Sequence, residues 1–492
     1  LTIINVDEPS KWRQLSVMDQ TTSTDHELLA QLWAELDGPA RALDAVHFSG
    51  PQRGLPSVYE VSALAAGSIA AATLAVAELQ ATRTGQLLRA VSVERAHAGA
   101  AFLSERHLRA LGWQLPEVWD PLAGDYPTRD GYIRLHTNYA YHRDAAVRVL
   151  GLVAGSATRE HVAAAVASWD GEPLESAVVA ANGCAAILRS PSEWSAHPQG
   201  LCLLNSPLFD LISTPARVAS LPDNTAAAST RPLSGLRVLD LTRVIAGPIA
   251  TRFLAAYGAD VLRVDPPGFE EVGALLCDIT AGKRRCALDL RNATDRERFI
   301  ELVREADLIV HGYRGDALQG LGFGNGSLRE HNPNAVIVCH DAYGWTGPWA
   351  GRRGFDSLVQ MSCGIAWRGR EVVGSKRPTP LPAQALDHAT GYLIAAAAVR
   401  SLTRRAQTGQ TRLVRMSLAR TARLLMELGD LGAISGDTVQ ADAALPYMEE
   451  VDTSLGRVRR VRCPGRIEGI TSEWRIPAGP LGVDPPRFSA RL

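Results

Sequence analysis

The chain has 492 residues, too many for one ordinary core and suited to two or three domains of typical size. Apolar residues make up 46% and charged residues 21%, which allows a sizeable core and excludes wholesale disorder. With 51 Lys plus Arg against 52 Asp plus Glu, the formal charge is -1. A general nucleic-acid binder would carry a basic excess or stripe, so any anion site here is a local cluster.

The first residues, LTIINVDEPSKW, lack a basic start followed by an apolar run, so no signal peptide is expected. Residues 61–77 form the longest apolar stretch, rich in Ala and Gly with Ser62 and Ser68 inside. That is short for a membrane span and reads as a buried helix. Residues 215–232, PARVASLPDNTAAASTRP, show no apolar periodicity and read as a linker between two halves. Beyond it, strand patterns at 237–241 (RVLDL), 260–265 (DVLRVD), 286–290 (CALDL), 307–312 (DLIVHG) and 334–341 (NAVIVCHD) alternate with helical ones. A helix over PIATRFLAAYG has Pro248 just inside its start and Gly258 just past its end. Such alternation predicts parallel βαβ units in an open α/β sheet. The seven cysteines form no CxxC pair, as expected of reduced thiols in a cytosolic protein.

An internal repeat links the halves. Residues 62–96 and 386–421 each contain a Gly (Gly67, Gly391) opening an Ala-rich helix, and a Thr-Gly-Gln whose Gly (Gly85, Gly409) comes 18 residues later. Each copy then runs into a strand containing Ser92 or Ser417. Four residues before the helix Gly, the second copy has Asp387 and the first has Ala63. Chemistry at Asp387 has no counterpart in the first copy.

Five ordered segments across residues 232–430 now carry a resemblance: PLSGLRVLDLTRVIAGP, ADVLRVDPPG, GKRRCALDL, YGWTGPWAGRRGFDSLVQMSCG and LDHATG. Together they resemble the family III CoA-transferases, the CaiB/BaiF family. In the first half, YPTRDGYIRLHTNY (126–139) is similar to a strand of that family's small domain. The resemblance implies an α/β fold, with a Rossmann-like open parallel sheet as large domain, a smaller α+β domain, and subunits interlocked as a homodimer. The expected division is a degenerate lobe with the small domain in 1–214, the linker, the Rossmann-like domain in 233–430, and a tail in 431–492 packing on it. It further implies coenzyme A as a substrate, an acyl-CoA donor and a small carboxylic acid as partners, a cytoplasmic location, no metal, and neither nucleic acid nor membrane.

Asp387 matches the family's nucleophile. A carboxylate beside a helix start is expected to be accessible, ionised and able to attack a thioester carbonyl, giving an acyl–aspartyl anhydride. An N-cap Asp without chemistry is the other reading of such a position. The resemblance places CoA contacts at Lys283, Arg284 and Arg285, directly before a strand, where cations suit phosphates. It places others at Val244, Ile245, Ala246 and Gly247, at the carboxyl end of the first strand. Gly312, Tyr313 and Arg314 follow another strand, with Tyr313 able to stack on adenine or simply to pack. Ala342, Tyr343 and Gly344 match the loop lining the thioester. The usual NRGKRS of the family reads TAGKRR here, with Thr280 and Ala281.

Two other readings remain. Acyl-CoA racemases and isomerases of the family pair the aspartate with a His in a Gly-His-Asp segment, which here is Gly354-Phe355-Asp356. Phenylalanine cannot carry a proton, and His388 is expected to be a surface or capping residue. The third reading is a non-catalytic CoA-binding relative. His136 and His142 lie six apart with no Cys or carboxylate at ligand spacing, so no metal site is expected.

Overall fold

A computed structural model describes residues 23–218, 221, 225–313, 315–435 and 441–490. Its central sheet has seven strands: β1 (Asp210–Pro215), β2 (Arg237–Leu241), β3 (Asp260–Asp265), β4 (Lys283–Ala287), β5 (Leu308–His311), β6 (Val336–Asp341) and β7 (Gln410–Ser417). The spatial order is β4-β3-β2-β5-β6-β7-β1. All neighbours are parallel except β1, which runs antiparallel to β7. Counted from β2, this is the 3-2-1-4-5-6 order of dinucleotide-binding sheets, whose crevice opens at the carboxyl ends where the strand order reverses. The chain is therefore α/β, as its patterning predicts. The strands over 237–241 and 260–265 fall where the apolar runs put them. The one expected at 286–290 begins three residues earlier, at Lys283, which pairs with Val261 in the ladder.

Four helices position the site: α1 (Val61–Thr84), α2 (Ala246–Ala256), α3 (Asp356–Ser362) and α4 (Ala385–Thr408). The repeated segments give α1 and α4, both 24 residues long, each closed by a left-handed Gly at φ 68° (Gly85) or 70° (Gly409). The two pack together more extensively than any other pair of elements. Helix α1 is long and apolar enough to cross a membrane by length and composition, and its apolar window is wholly buried inside the protein. The matched glycines serve close approach. A Cβ on Gly391 would sit 2.6 Å from the Ala246 carbonyl of α2, and one on Gly67 would sit 2.8 Å from Leu28.

A smaller α+β unit lies in the first half. Strands Gly124–Pro127, Tyr132–Leu135 and Ala185–Ile187 pair antiparallel under helices Ala140–Val149, Arg159–Val166 and Gly171–Ala180. Its own apolar cluster includes Tyr126, Ile133, Leu174 and Val178. The segment expected as a linker is partly structured: β1 ends in it, and the Ala216 N–H donates to the Gly409 carbonyl at 2.9 Å. Residues 219–220 and 222–224 of it lie outside the described residues. The C-terminal segment runs along the free edge of β4, where Asp484 accepts from the Arg285 N–H at 2.8 Å and so covers an open sheet edge.

Because α1 covers α4 and β1 extends the large sheet, a fragment of residues 233–492 exposes a long apolar helix face. Expressed alone, that fragment is expected to be insoluble or aggregated, as read by soluble yield and size-exclusion chromatography. A monodisperse fragment with a cooperative melt would show that the first half is dispensable for the second.

Candidate active site

A cavity of about 380 Å³ opens at the carboxyl ends of the parallel strands. Leu241 and Arg243 reach it from the end of β2, Gly312 and Tyr313 from β5, and His340, Asp341 and Ala342 from β6. The small unit closes the opposite side with Tyr139, Tyr141 and His142. Asp387, third residue of α4, lines this cavity.

Asp387 is only 8% exposed. Beside it Asp356, the first residue of α3, is fully buried and accepts from the backbone N–H groups of Leu386 (2.8 Å) and Asp387 (3.0 Å). The Gln360 side-chain amide is its third donor. Asp356 thus caps the first turn of α4 from outside, satisfying two donors that no helix can satisfy itself. Burial, then the Asp356 carboxylate, then Glu105 hold the Asp387 carboxyl well above the usual carboxylate range. Burial also raises Asp356, but its three donors favour the anion, so the proton of the pair rests on Asp387. The nucleophile expected to be accessible and ionised is instead a nearly buried acid with a raised pKa. His388 is not on the surface. It is 1% exposed, 3.0 Å from the Glu105 carboxylate, and stacked on Phe102.

The segment Val244–Gly247 ends the turn after β2 and supplies the first two residues of α2. Val244 and Ala246 line the cavity, while Ile245 and Gly247 are buried. A Cβ on Gly247 would lie 2.3 Å from Thr242, so the tight turn requires glycine. Val244 has φ 64°, an uncommon value for a β-branched residue. Its N–H donates to Glu271 at 3.1 Å, and the same carboxylate binds Arg263 (3.0 Å) and the Tyr139 hydroxyl (2.9 Å). Gly312, Tyr313 and Ala342 line the cavity. Tyr343 is packed inside, its hydroxyl 3.1 Å from Ser362, and the Gly344 N–H donates to Asp341 at 2.8 Å. Arg314 lies outside the described residues.

The basic triplet is placed elsewhere, which corrects the expectation of three phosphate ligands. These residues begin β4 instead of preceding it. The Lys283 ammonium is fully buried and donates to Asp240 (2.9 Å) and the Pro248 carbonyl (3.0 Å). Burial pulls it down to about 8, while Lys283 and Arg263 hold Asp240 below the usual carboxylate range against its own burial. Arg284 pairs with Asp260, and Arg285 donates to the Pro477 carbonyl at 2.9 Å beneath the C-terminal segment.

Other residues of the site had no motif to announce them. The Arg243 guanidinium lies 3.9 Å from the Phe269 ring centre and 5.0 Å from that of Tyr313, and donates to the Tyr313 hydroxyl at 2.7 Å. Its position two residues past a parallel strand was the available signal. Arg243, Tyr313 and Leu241 also line an adjoining cavity of about 340 Å³, walled by Val264, Leu288 and Leu290. Asp341, the last residue of β6, is pushed up to about 7 by burial, against the Gly344 N–H and Arg415. Phe355 lies flat on the buried His136 ring at 3.6 Å.

Two substitutions separate these roles. Lys283→Met leaves Asp240 charged and unpaired in the core, and is expected to lower stability by about 3–5 kcal/mol in denaturant titration. A raised pKa in the fold means that Asp387 costs nothing below its unfolded value near 3.8 and destabilises increasingly as pH rises above it. Asp387→Asn is therefore expected to match the parent near pH 4 and to become increasingly more stable than it as pH rises to 8, checked by thermal melts across that range.

Residues 233–452 match the sequence profile of CoA-transferase family III. The acetyl-coenzyme A transferase nodX of Hypoxylon pulicicidum is 30% identical over 310 residues, 60% of this chain and 52% of that protein. The succinyl-CoA:mesaconate CoA-transferase of Haloarcula hispanica is 33% identical over 199 residues, 36% of this chain and 49% of that protein. The crystal structure of a CAIB/BAIF family protein from Brucella suis aligns at 27% identity with a TM-score of 0.37, covering 46% of this chain and 65% of that one. The chain spans about half the length of the curated relatives named here. The similarity to CoA-transferase family III thus lies in residues 233–452.

Proposed function

We propose that the chain transfers CoA between an acyl-CoA thioester and a carboxylic acid, with Asp387 as nucleophile. The observation that carries this reading is the position of Asp387: on the wall of the cavity at the strand ends, its helix turn pinned by Asp356. Asp387 first gives its proton to solvent, and takes one back when its free carboxylate is restored at the end of the cycle. Its carboxylate attacks the thioester carbonyl, the C–S bond breaks, and an acyl–aspartyl anhydride and CoA thiolate result. The thiolate attacks the aspartyl carbonyl, releasing the acyl group as a carboxylate and leaving an aspartyl–CoA thioester. The acceptor carboxylate repeats the two steps in reverse order, restoring Asp387. No bond energy is lost overall, since one thioester replaces another. Similarity to an acetyl-coenzyme A transferase and to a succinyl-CoA:mesaconate CoA-transferase supports the reaction class.

In this reading the adjoining cavity takes the adenosine end between Leu288, Leu290 and Tyr313, and Arg243 at the junction meets the phosphates. A homodimer and a cytoplasmic setting belong to the same proposal. Calorimetric titration with free CoA, paired with an optical or mass-based binding method, tests it without guessing the acyl group. Micromolar affinity is expected, weakened at least about tenfold in Arg243→Gln, a loss of roughly 1.4 kcal/mol. Incubation with acetyl-CoA followed by hydroxylamine is expected to mark Asp387 by mass and to leave Asp387→Ala unmarked. Absence of CoA binding up to millimolar concentration by both methods would refute the reading.

A further inference from the structure

Behind the acid pair lies a separate, smaller cavity of about 150 Å³ that shares no lining residue with the reacting cavity. Arg106, Trp119 and Arg134 wall it from the first half of the chain, and Ser357, Gln360 and Gln384 from the second. Two of its polar atoms are buried without a hydrogen-bond partner among the described residues. They are the Ser357 hydroxyl, in a residue 6% exposed, and Arg134 Nε. Buried polar atoms in native interiors are nearly always paired, so two unpaired ones facing one cavity mark the place of a missing partner.

The charges around the cavity indicate what kind of partner fits. Arg134 lies with its guanidinium carbon 5.3 Å from the Trp119 ring centre and gives one Nη to Asp125 at 2.7 Å. Arg106 is exposed and forms no ion pair among the described residues. Two guanidinium groups against one carboxylate leave a single positive charge, beside a hydroxyl and two side-chain amides able to donate. That set matches one carboxylate, and the volume matches a small organic acid and not a nucleotide.

We propose that this pocket binds a small monocarboxylate as an accessory ligand. Gln360 joins it to the acid pair: the side-chain amide donates to Asp356, and its oxygen accepts from the Leu381 N–H at 2.8 Å. Gln384, the residue preceding α4, forms the wall next to the start of the Asp387 helix. The ligand therefore sits against the support of Asp387 and outside the reacting cavity. It is not the acceptor acid, and its binding does not depend on the CoA reading.

The test is titration of the full chain with propionate, in the absence of CoA, by calorimetry and ligand-observed NMR. One saturable site is expected, weakened at least about fivefold by Ser357→Ala and by Arg106→Gln, as loss of a charge-assisted contact requires. Arg106→Gln alters an exposed side chain, so the fold is kept if Ser357→Ala proves unstable. Arg243→Gln, in the large cavity, is expected to leave propionate affinity unchanged. No saturable binding up to about 100 mM, equal binding in both pocket variants, or loss of binding in Arg243→Gln would each overturn the proposal. None of those results bears on CoA affinity, which is read separately.

Discussion

The packing of two Ala-rich helices fixes the rest of this protein. Alanine buries little area per residue, but it lets helix backbones approach closely, and dense packing recovers in dispersion contacts what large side chains would have contributed. Helices α1 and α4 lie inside the protein with nearly every residue of their first five turns buried. The charge that does cross between them is matched: Arg400 of α4 pairs with Glu78 of α1. On its other side α4 meets α2 through Gly391 and the Ala246 carbonyl. The turn carrying Asp387 is thereby fixed between the two halves of the chain and next to the switch in strand order.

Much of the sheet was legible because parallel strands are buried on both faces and read as short apolar runs. Residues 237–241 and 260–265 show this directly. The start of β4 was not legible, since Lys-Arg-Arg reads as a solvated turn. What makes Lys283 fit for burial is Asp240, on a strand two places away in the sheet, together with the Pro248 carbonyl in the first turn of α2. A sequence shows neither partner as a neighbour. Arg263 differs: fully buried, it pairs with Asp265 two residues on in the same strand and with Glu271 in the loop that follows.

The site was legible in the same uneven way. Asp387 stood out because its repeat partner is Ala63, an asymmetry visible in the sequence itself. Asp356 did not stand out. Its task is to bond backbone groups 30 and 31 positions onward, and hydrogen bonds to backbone leave no trace in residue type. Tyr139 was out of reach for a different reason: it comes from the small unit, and only the closed fold brings it to Glu271.

Glu271 itself ties two features together. One of its oxygens holds the N–H of Val244, whose left-handed backbone stores on the order of 1–3 kcal/mol of strain. The other accepts from Tyr139 of the small unit. The floor of the reacting cavity and the wall opposite it therefore share a single carboxylate, and displacing one changes the energy of the other. An acyl group that pushes the wall outward does work on the backbone turn beneath it, so the shape of the occupant and the relaxation of Val244 are mechanically one variable.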